Sequence, residues 1–351
     1  MLDNNSTLII GKFSNGSISN SYFRAFKNLN SNVMIINVLS FKLIKNKIFN
    51  NSYFRKLFDF SYSFRKMISI EFNKEIKKKI LQYNCKNIFI LSPEWLTHDT
   101  LVFLKNKGFK ICCFFGDNPI KGYYNHRPEY DITFKEFDIL YLWSYSLVRK
   151  FRKMKYKNVK FLPFGWDSYI HPFSGIKEGN NKISFIGNWE KHREKILLSL
   201  FSNFSIDIYG ANYWITKSRN QQIKKNYKAL YLDNKNFAKT ISDYSINLNI
   251  LREQHYVNNI PDAVIMRSFE VPGSGGFLIS NRCETALDLF TEDYDAVFYD
   301  TTEELKDKLI YYLKNNKQRM EIIKNSHRKI KKNFQYHNIA QIVLNDLNKL
   351  S

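Results

Sequence analysis

Cysteine is scarce in this 351-residue chain: Cys85, Cys112, Cys113 and Cys283 are the only four, and no two form a CxxC pair. That spacing excludes a zinc ribbon, a redox motif and a disulfide framework, and makes a reducing cytoplasm the expected setting. Long apolar runs are missing too. No stretch approaches the roughly 18 apolar residues of a membrane-crossing helix. The polar start MLDNNS, with no basic flank before the short run Leu8 to Ile10, does not read as a secretory leader. The expected protein is soluble, or peripheral at most. GxGxxG is absent, and with it a dinucleotide fingerprint. Zinc-finger, RRM and helix-turn-helix signatures are absent as well.

Acids are also in deficit, 32 against 54 lysines and arginines, a net charge of +22. An excess of this size fits a polyanionic partner: nucleic acid, an anionic membrane or a phosphorylated substrate. It fits equally well with compositional drift, since the chain is rich in Asn, Lys, Ile, Phe and Tyr. With 44% hydrophobic and 25% charged residues the composition is near globular averages, which excludes wholesale disorder and rod-like folds.

At about 100–200 residues per domain the length predicts two domains. Short apolar runs, from Leu8–Gly11 through Phe109–Phe115 and Ile139–Leu142 to Val159–Pro163, alternate with helical patterns such as Ser19–Leu29, Thr97–Lys107 and Ser144–Met154. This rhythm indicates βαβ units and a parallel sheet. Pro163 to Lys182 breaks it with two prolines and three glycines, and reads as an interdomain linker. A second series then runs through Ile183–Gly187, Ser205–Gly210, Ile246–Leu251, Gly276–Ser280 and Ala296–Tyr299, with helices such as Arg267–Gly273 between. The economical architecture is α/β, with two doubly wound domains facing across a cleft.

Ligands of open α/β sheets sit at the carboxyl ends of strands, so chemistry is sought just after each run. Gly11 closes the first, and the polar loop behind it, with Asn15 and Gly16, either offers backbone amides to an anion or sugar hydroxyl or is an ordinary βα turn capped by Ser19. Asp117, in FFGDNPI, is a cleft-facing carboxylate or a turn aspartate. Gly187 ends ISFIG, and Arg193 on the helix behind it can clamp a diphosphate or simply be solvated. The densest segment is Asn258 to Asn281. Glu270 there has paired oxygens suited to two ribose hydroxyls. Arg267, one helical turn earlier, pairs with Glu270 or faces a phosphate. Asp262 lies eight positions before Glu270, and Gly275 and Gly276 permit close packing of helix, turn and ligand.

RSFEVPGSGGFLISN, with EDYDAVFYDTTEELKDKLIYYLKNNKQRMEIIKNS after it, resembles the C-terminal domain of CgeB-type group 1 glycosyltransferases, which have the GT-B fold and are related to glycosyltransferase family 4. FLPFGWDSYIHPF, ISFIGNWEKHREKIL, IDIYGANYW and YSINLNILR match that family's order of elements. The likeness covers Phe161 to about Phe334, and more loosely LIIGKFSNGSISNSYFRAFKNL and FGDNP. The resemblance implies a retaining, metal-independent transferase that moves a sugar from a nucleotide-diphosphate donor to a glycan or lipid-linked acceptor, in surface polysaccharide or glycan synthesis. Residues 1–165 would be the Rossmann-like acceptor domain, with helix 336–351 packed back on it, and residues 180–335 the donor domain. Glu270 matches the ribose-binding second acid of a pair. Asp262 stands at the first, one methylene shorter than the family's glutamate. Arg193 and Arg267 match basic positions. Asp117 occupies a place comparable to that of a histidine in related enzymes. No cofactor is implied, and no metal-holding acidic pair of DxD spacing is expected anywhere in the sequence.

Residues 41–80 hold eleven Lys or Arg against three acids, interleaved with aromatics. Their basic face either rests on an anionic bilayer, on the inner side of the plasma membrane, or is solvated over a core-facing stripe. A nucleic-acid-binding protein is the competing class. The placement of the glycine, acid and arginine set after strands argues against it. An inactive transferase-like scaffold is a third reading, which the aspartate at 262 keeps open.

Overall fold

Why the apolar runs become strands is plain from their burial. In the computed structural model, which describes residues 6–29, 31–41, 62–120, 130–229, 234–257 and 260–350, strand β1 (Ser6–Gly11) is buried at every position. So are β3 (Asn87–Ile90) and β5 (Ile139–Leu142). Strands covered on both faces must be apolar throughout, which is the signature of a parallel sheet under helices. With β2 (Asn32–Asn37), β4 (Lys110–Phe115) and β6 (Val159–Phe161) they form one six-stranded sheet in the order β2-β1-β3-β4-β5-β6. Every neighbouring pair in it is parallel.

The chain divides into two units, residues 1–162 with 337–351, and residues 163–336. In the first, helix Ile18–Asn28 follows β1. Its N-cap is Ser17, which accepts from the Asn20 amide at 3.3 Å. The expected cap, Ser19, is buried instead, because β1 ends in Gly11 directly beneath it; a Cβ on Gly11 would meet Ser19 Oγ at 2.3 Å. Helix Tyr336–Leu350 also belongs here from His337 on. Tyr141 on β5 donates its hydroxyl to Asp346 Oδ2 at 2.9 Å, and Lys160 on β6 pairs with the other carboxylate oxygen at 2.7 Å. Half of the basic aromatic stretch, residues 42–61, lies outside the described residues. Within the remainder, helix Tyr62–Ile80 buries Phe72, Ile76 and Ile80, and Phe72 packs on Phe41 at 4.7 Å between ring centroids.

The second unit holds β7 (Ile183–Ile186), β8 (Ile206–Tyr209), β9 (Tyr227–Ala229), β10 (Ile246–Leu248), the hairpin β11 (Tyr256–Val257) and β12 (Ile260–Pro261), β13 (Leu278–Asn281) and β14 (Val297–Tyr299). Its main sheet runs β14-β13-β10-β7-β8-β9. Taken in chain order that is the 3-2-1-4-5-6 arrangement of dinucleotide-type folds, read from the other edge. The edge strand β9, the hairpin and the helix Glu284–Leu289 have no counterpart in the expected elements. Each is too short to carry a periodicity.

The segment expected as a linker is instead packed into the second unit. Trp166, 3% exposed, donates its backbone N–H to Phe334 O at 2.7 Å and accepts from Tyr336 N at 3.1 Å. Gly273 lies against its indole; a Cβ there would approach the ring to 2.5 Å. Irregular backbone tolerates burial when its polar groups find partners of this kind.

Candidate functional site

In a doubly wound sheet the crevice for a ligand opens at the carboxyl ends of strands, where the strand order reverses. From β7 the second unit runs outward through β8 and β9, then returns to β10 on the opposite side of β7. The reversal therefore falls between β7 and β10.

Arg193, on helix Lys191–Leu200, spans the two loops that leave those strands. Its Nη1 donates to Asn188 O at 2.9 Å, after β7, and its Nη2 to Ile250 O at 2.6 Å, after β10. The side chain lies over the Phe185 ring and is 4% exposed. Burial lowers its pKa to about 10, with Glu190 opposing and Arg252 assisting. Nε is buried without a hydrogen-bond partner. In this geometry both Nη groups are engaged by main-chain carbonyls, so the guanidinium straps two loops together. Gly187 sits in the same turn. Its N–H donates to Tyr209 O at 2.9 Å and its carbonyl accepts from Trp214 Nε1 at 2.8 Å.

Helix Arg267–Gly273 brings a second cluster to the end of β7. Arg267 Nε donates to Ile186 O at 3.5 Å, Nη1 donates to Glu270 Oε2, and the guanidinium lies 4.5 Å from the centre of the Phe237 ring. Glu270 is 5% exposed. Burial alone would raise its pKa, but Arg267 and then His171 outweigh that and hold it at about 2. The carboxylate is ionised at neutral pH. Two of its roughly four acceptor directions are used by protein, leaving capacity for hydroxyl donors.

His171 is the residue the sequence reading missed. Its Nε2 lies 3.5 Å from Glu270 Oε1 and its ring packs 4.5 Å from that of Phe237. It falls in the segment whose prolines and glycines read as a linker, and only the three-dimensional packing of that segment puts it here. Its carbonyl accepts from Trp166 Nε1 at 2.8 Å and from Ser274 Oγ at 3.2 Å. Ser174 N donates to Ser274 O at 3.0 Å. Gly275, at φ +97°, is in the left-handed region, and a Cβ on it would meet Gly175 O at 2.4 Å. Gly276 would meet Val271 and Asn247. The glycine group thus lets the segment carrying His171 lie close on the turn after Glu270.

The other expected residues are more dispersed. Asp262 is buried just past the hairpin, with its N–H donating to His255 O at 2.9 Å. It adds to the burial that pushes the Cys283 thiol up to about 11. Gly11, Asn15 and Gly16 lie in the first unit, in the loop after β1, where that sheet's own order reverses toward β3. There Phe13 N donates to Asn37 Oδ1 at 3.1 Å and Lys12 pairs with Glu94 at 2.9 Å. Asp117 follows β4, half-buried, with its carbonyl accepting from Trp143 Nε1 at 3.2 Å. Asn118 beside it caps a turn onto the Ile120 amide.

The expectation about DxD pairs needs one correction: Asp293-Tyr294-Asp295 has that spacing. Its carboxylates serve the fold. Asp295 accepts from Thr291 N at 2.7 Å and from Lys329 Nζ at 2.8 Å, and Asp293 accepts from the Tyr312 hydroxyl at 2.8 Å. Among the described residues no group of three or more His, Cys, Asp or Glu side chains is placed to hold a metal ion. No helix among them is long and apolar enough to cross a membrane.

Because the Glu270 pKa is lowered in the folded chain, its contribution to stability is complete above about pH 4.5 and lost as pH falls through about 2. Acid unfolding curves of the parent and of Glu270→Gln should therefore diverge in that window, with the parent losing stability more steeply. Parallel curves would count against an ionised, paired Glu270.

Residues 191–345 match the model of a family described as glycosyl transferase-like. No curated sequence matches the chain. Among solved structures it is similar to a glycosyltransferase from Rickettsia africae, at 13% identity and TM-score 0.66 over 98% of both chains. Sucrose-phosphate synthase from Thermosynechococcus elongatus gives 10% and 0.71 over 99% of both. Anabaena HepE in complex with UDP and glucose gives 11% and 0.68, over 98% of this chain and 99% of that one. The fold is GT-B, and the region from the Arg193 helix onward is glycosyltransferase-like in sequence as well.

Proposed function

We propose that the chain is a retaining glycosyltransferase of the CgeB type that transfers a sugar from a nucleotide-diphosphate sugar to a glycan or lipid-linked acceptor. The second unit takes the donor and the first the acceptor, in surface polysaccharide or glycan synthesis, at the cytoplasmic side and in reach of an anionic membrane. The observation that carries this reading is the buried, ionised Glu270, fixed by Arg267 at the carboxyl end of β7. An ionised carboxylate in that place accepts two hydrogen bonds from a ribose diol. The solved HepE complexes, which hold UDP and UDP-glucose on the same fold, support a nucleotide-sugar donor.

As the sugar leaves, negative charge builds on the diphosphate, and preorganised donors aimed at it lower the barrier. Arg267 supplies a cation, and the loop after Gly187, its shape set by Arg193, supplies backbone amides. Asp262 takes the part of the first acid toward the sugar and Asp117 the acceptor side. Both carboxylates of the lone DxD triplet are bound within the fold, so neutralisation falls to side chains and a bound metal is not required.

Calorimetry with UDP tests the donor site. Glu270→Ala should weaken binding by at least about tenfold, or ~1.4 kcal/mol. Equal affinity in variant and parent removes the assignment.

A further inference from the structure

At the amino-terminal edge of the first unit's sheet lies a cavity of about 370 Å³, lined by Lys105, Lys135, Lys155, Lys157, Glu136 and Asp138 among others. Asp138 directly precedes β5, and Lys157 lies just before β6. The cavity is therefore at the edge opposite the carboxyl ends of these strands. Its two carboxylates are already engaged. Glu136 faces His98 Nε2 at 3.1 Å and Lys105 Nζ at 3.4 Å, and Asp138 Oδ2 accepts from the Ile111 amide at 2.8 Å. Lys135, Lys155 and Lys157 are exposed and have no ion-pair partner among the described residues. The Lys135 ammonium lies 5.6 Å from the centre of the Tyr156 ring, and Tyr156 is fixed by its hydroxyl donating to Asp131 O at 3.2 Å.

Lys155 is also conformationally costly. It sits at φ +64° just past helix Tyr145–Lys153, with the Tyr156 amide donating to Phe151 O at 3.1 Å. Glycine is the usual residue at such a helix end, and an L side chain there is strained. A strained lysine on the rim of a cavity that already holds two other unpaired cations is an observation that asks for a ligand.

We propose that this cavity binds a small molecule carrying two or more linked phosphate groups, at a site separate from the one proposed for the donor. A concave volume of this size suits a small ligand, since such pockets run from about 300 to 1,000 Å³. Lys135, Lys155 and Lys157 outnumber Asp138, the one lining carboxylate with no cation partner in the cavity, and a diphosphate or longer chain presents several oxygens to the excess charge at once.

The test uses the full chain without nucleotide, because UDP itself carries two linked phosphates. Lysine acetylation is followed by mass spectrometry at fixed ionic strength, with inorganic pyrophosphate, tripolyphosphate or orthophosphate added. Pyrophosphate and tripolyphosphate should protect Lys135, Lys155 and Lys157 by about fivefold relative to orthophosphate, while exposed lysines of the second unit such as Lys217 and Lys225 are unchanged. The double variant Lys155→Glu, Lys157→Glu should lose the pyrophosphate protection of Lys135 and keep the parental melting temperature. Uniform or absent protection overturns the proposal. Protection by anionic vesicles or RNA but not by pyrophosphate overturns it as well, and assigns the lysines to a macromolecular surface. Glu270→Ala should leave the lysine protection unchanged, so that a failure of the donor site is read separately from a failure of this one.

Discussion

Arg267→Ala is expected to lower turnover by about 10²–10³, the scale for removing one preorganised donor from a developing negative charge. Three contacts make the effect large. The guanidinium holds the Glu270 carboxylate, reaches the Ile186 carbonyl at the end of β7 and lies over Phe237. Truncation leaves Glu270, 5% exposed, without its strongest partner. An uncompensated buried carboxylate costs about 3–5 kcal/mol, which the chain reduces by protonating it. Protonated Glu270 then offers a ribose one acceptor fewer, so nucleotide binding weakens together with kcat. Arg267→Lys keeps the charge but loses the planar fork, and a single ammonium cannot serve both Glu270 and the main chain. It should fall between parent and Arg267→Ala. Steady-state rates and calorimetry on the three proteins decide the matter, and parental rates in Arg267→Ala would refute the assignment.

The strands were legible because of where they sit. Ile139–Leu142 has the bounds its apolar run predicts, since a strand covered by helices on both faces has no polar position to blur its ends. Helix Arg267–Gly273 likewise starts and stops where the sequence suggests, closed by glycine. Pairing of Arg267 with Glu270, one helical turn on, is one of the two readings their spacing allows, and the helix shows it. Contacts between segments distant in sequence were not legible. His171 reaches Glu270 across 99 positions, through a stretch whose prolines and glycines look like a connector. Gly273 and Gly275 look like ligand-contacting glycines until Trp166 and Gly175 are seen against them. Arg193 hides for a different reason. Its partners are main-chain carbonyls, which every residue possesses, so no pattern of side chains announces them.

That hidden role makes the second large effect. Arg193→Ala should destabilise the chain by about 3 kcal/mol, because it strips the donors from two backbone carbonyls beneath a side chain that is 4% exposed. Each buried acceptor left unpaired costs roughly 1–3 kcal/mol, offset in part by no longer burying a cation. The informative variant is Arg193→Lys. If Arg193 acts by charge on a diphosphate, lysine preserves much of the turnover. If it acts by tying the loop after β7 to the loop after β10, lysine fails nearly as badly as alanine, since one ammonium on a flexible stem cannot reproduce a two-pronged span between Asn188 and Ile250. The geometry favours the second outcome: comparable losses of kcat/KM in both variants, with only a weak dependence on salt. Denaturant midpoints measured beside the rates separate this from unfolding. A lysine variant with near-parental turnover beside a disabled alanine variant would return Arg193 to the phosphates.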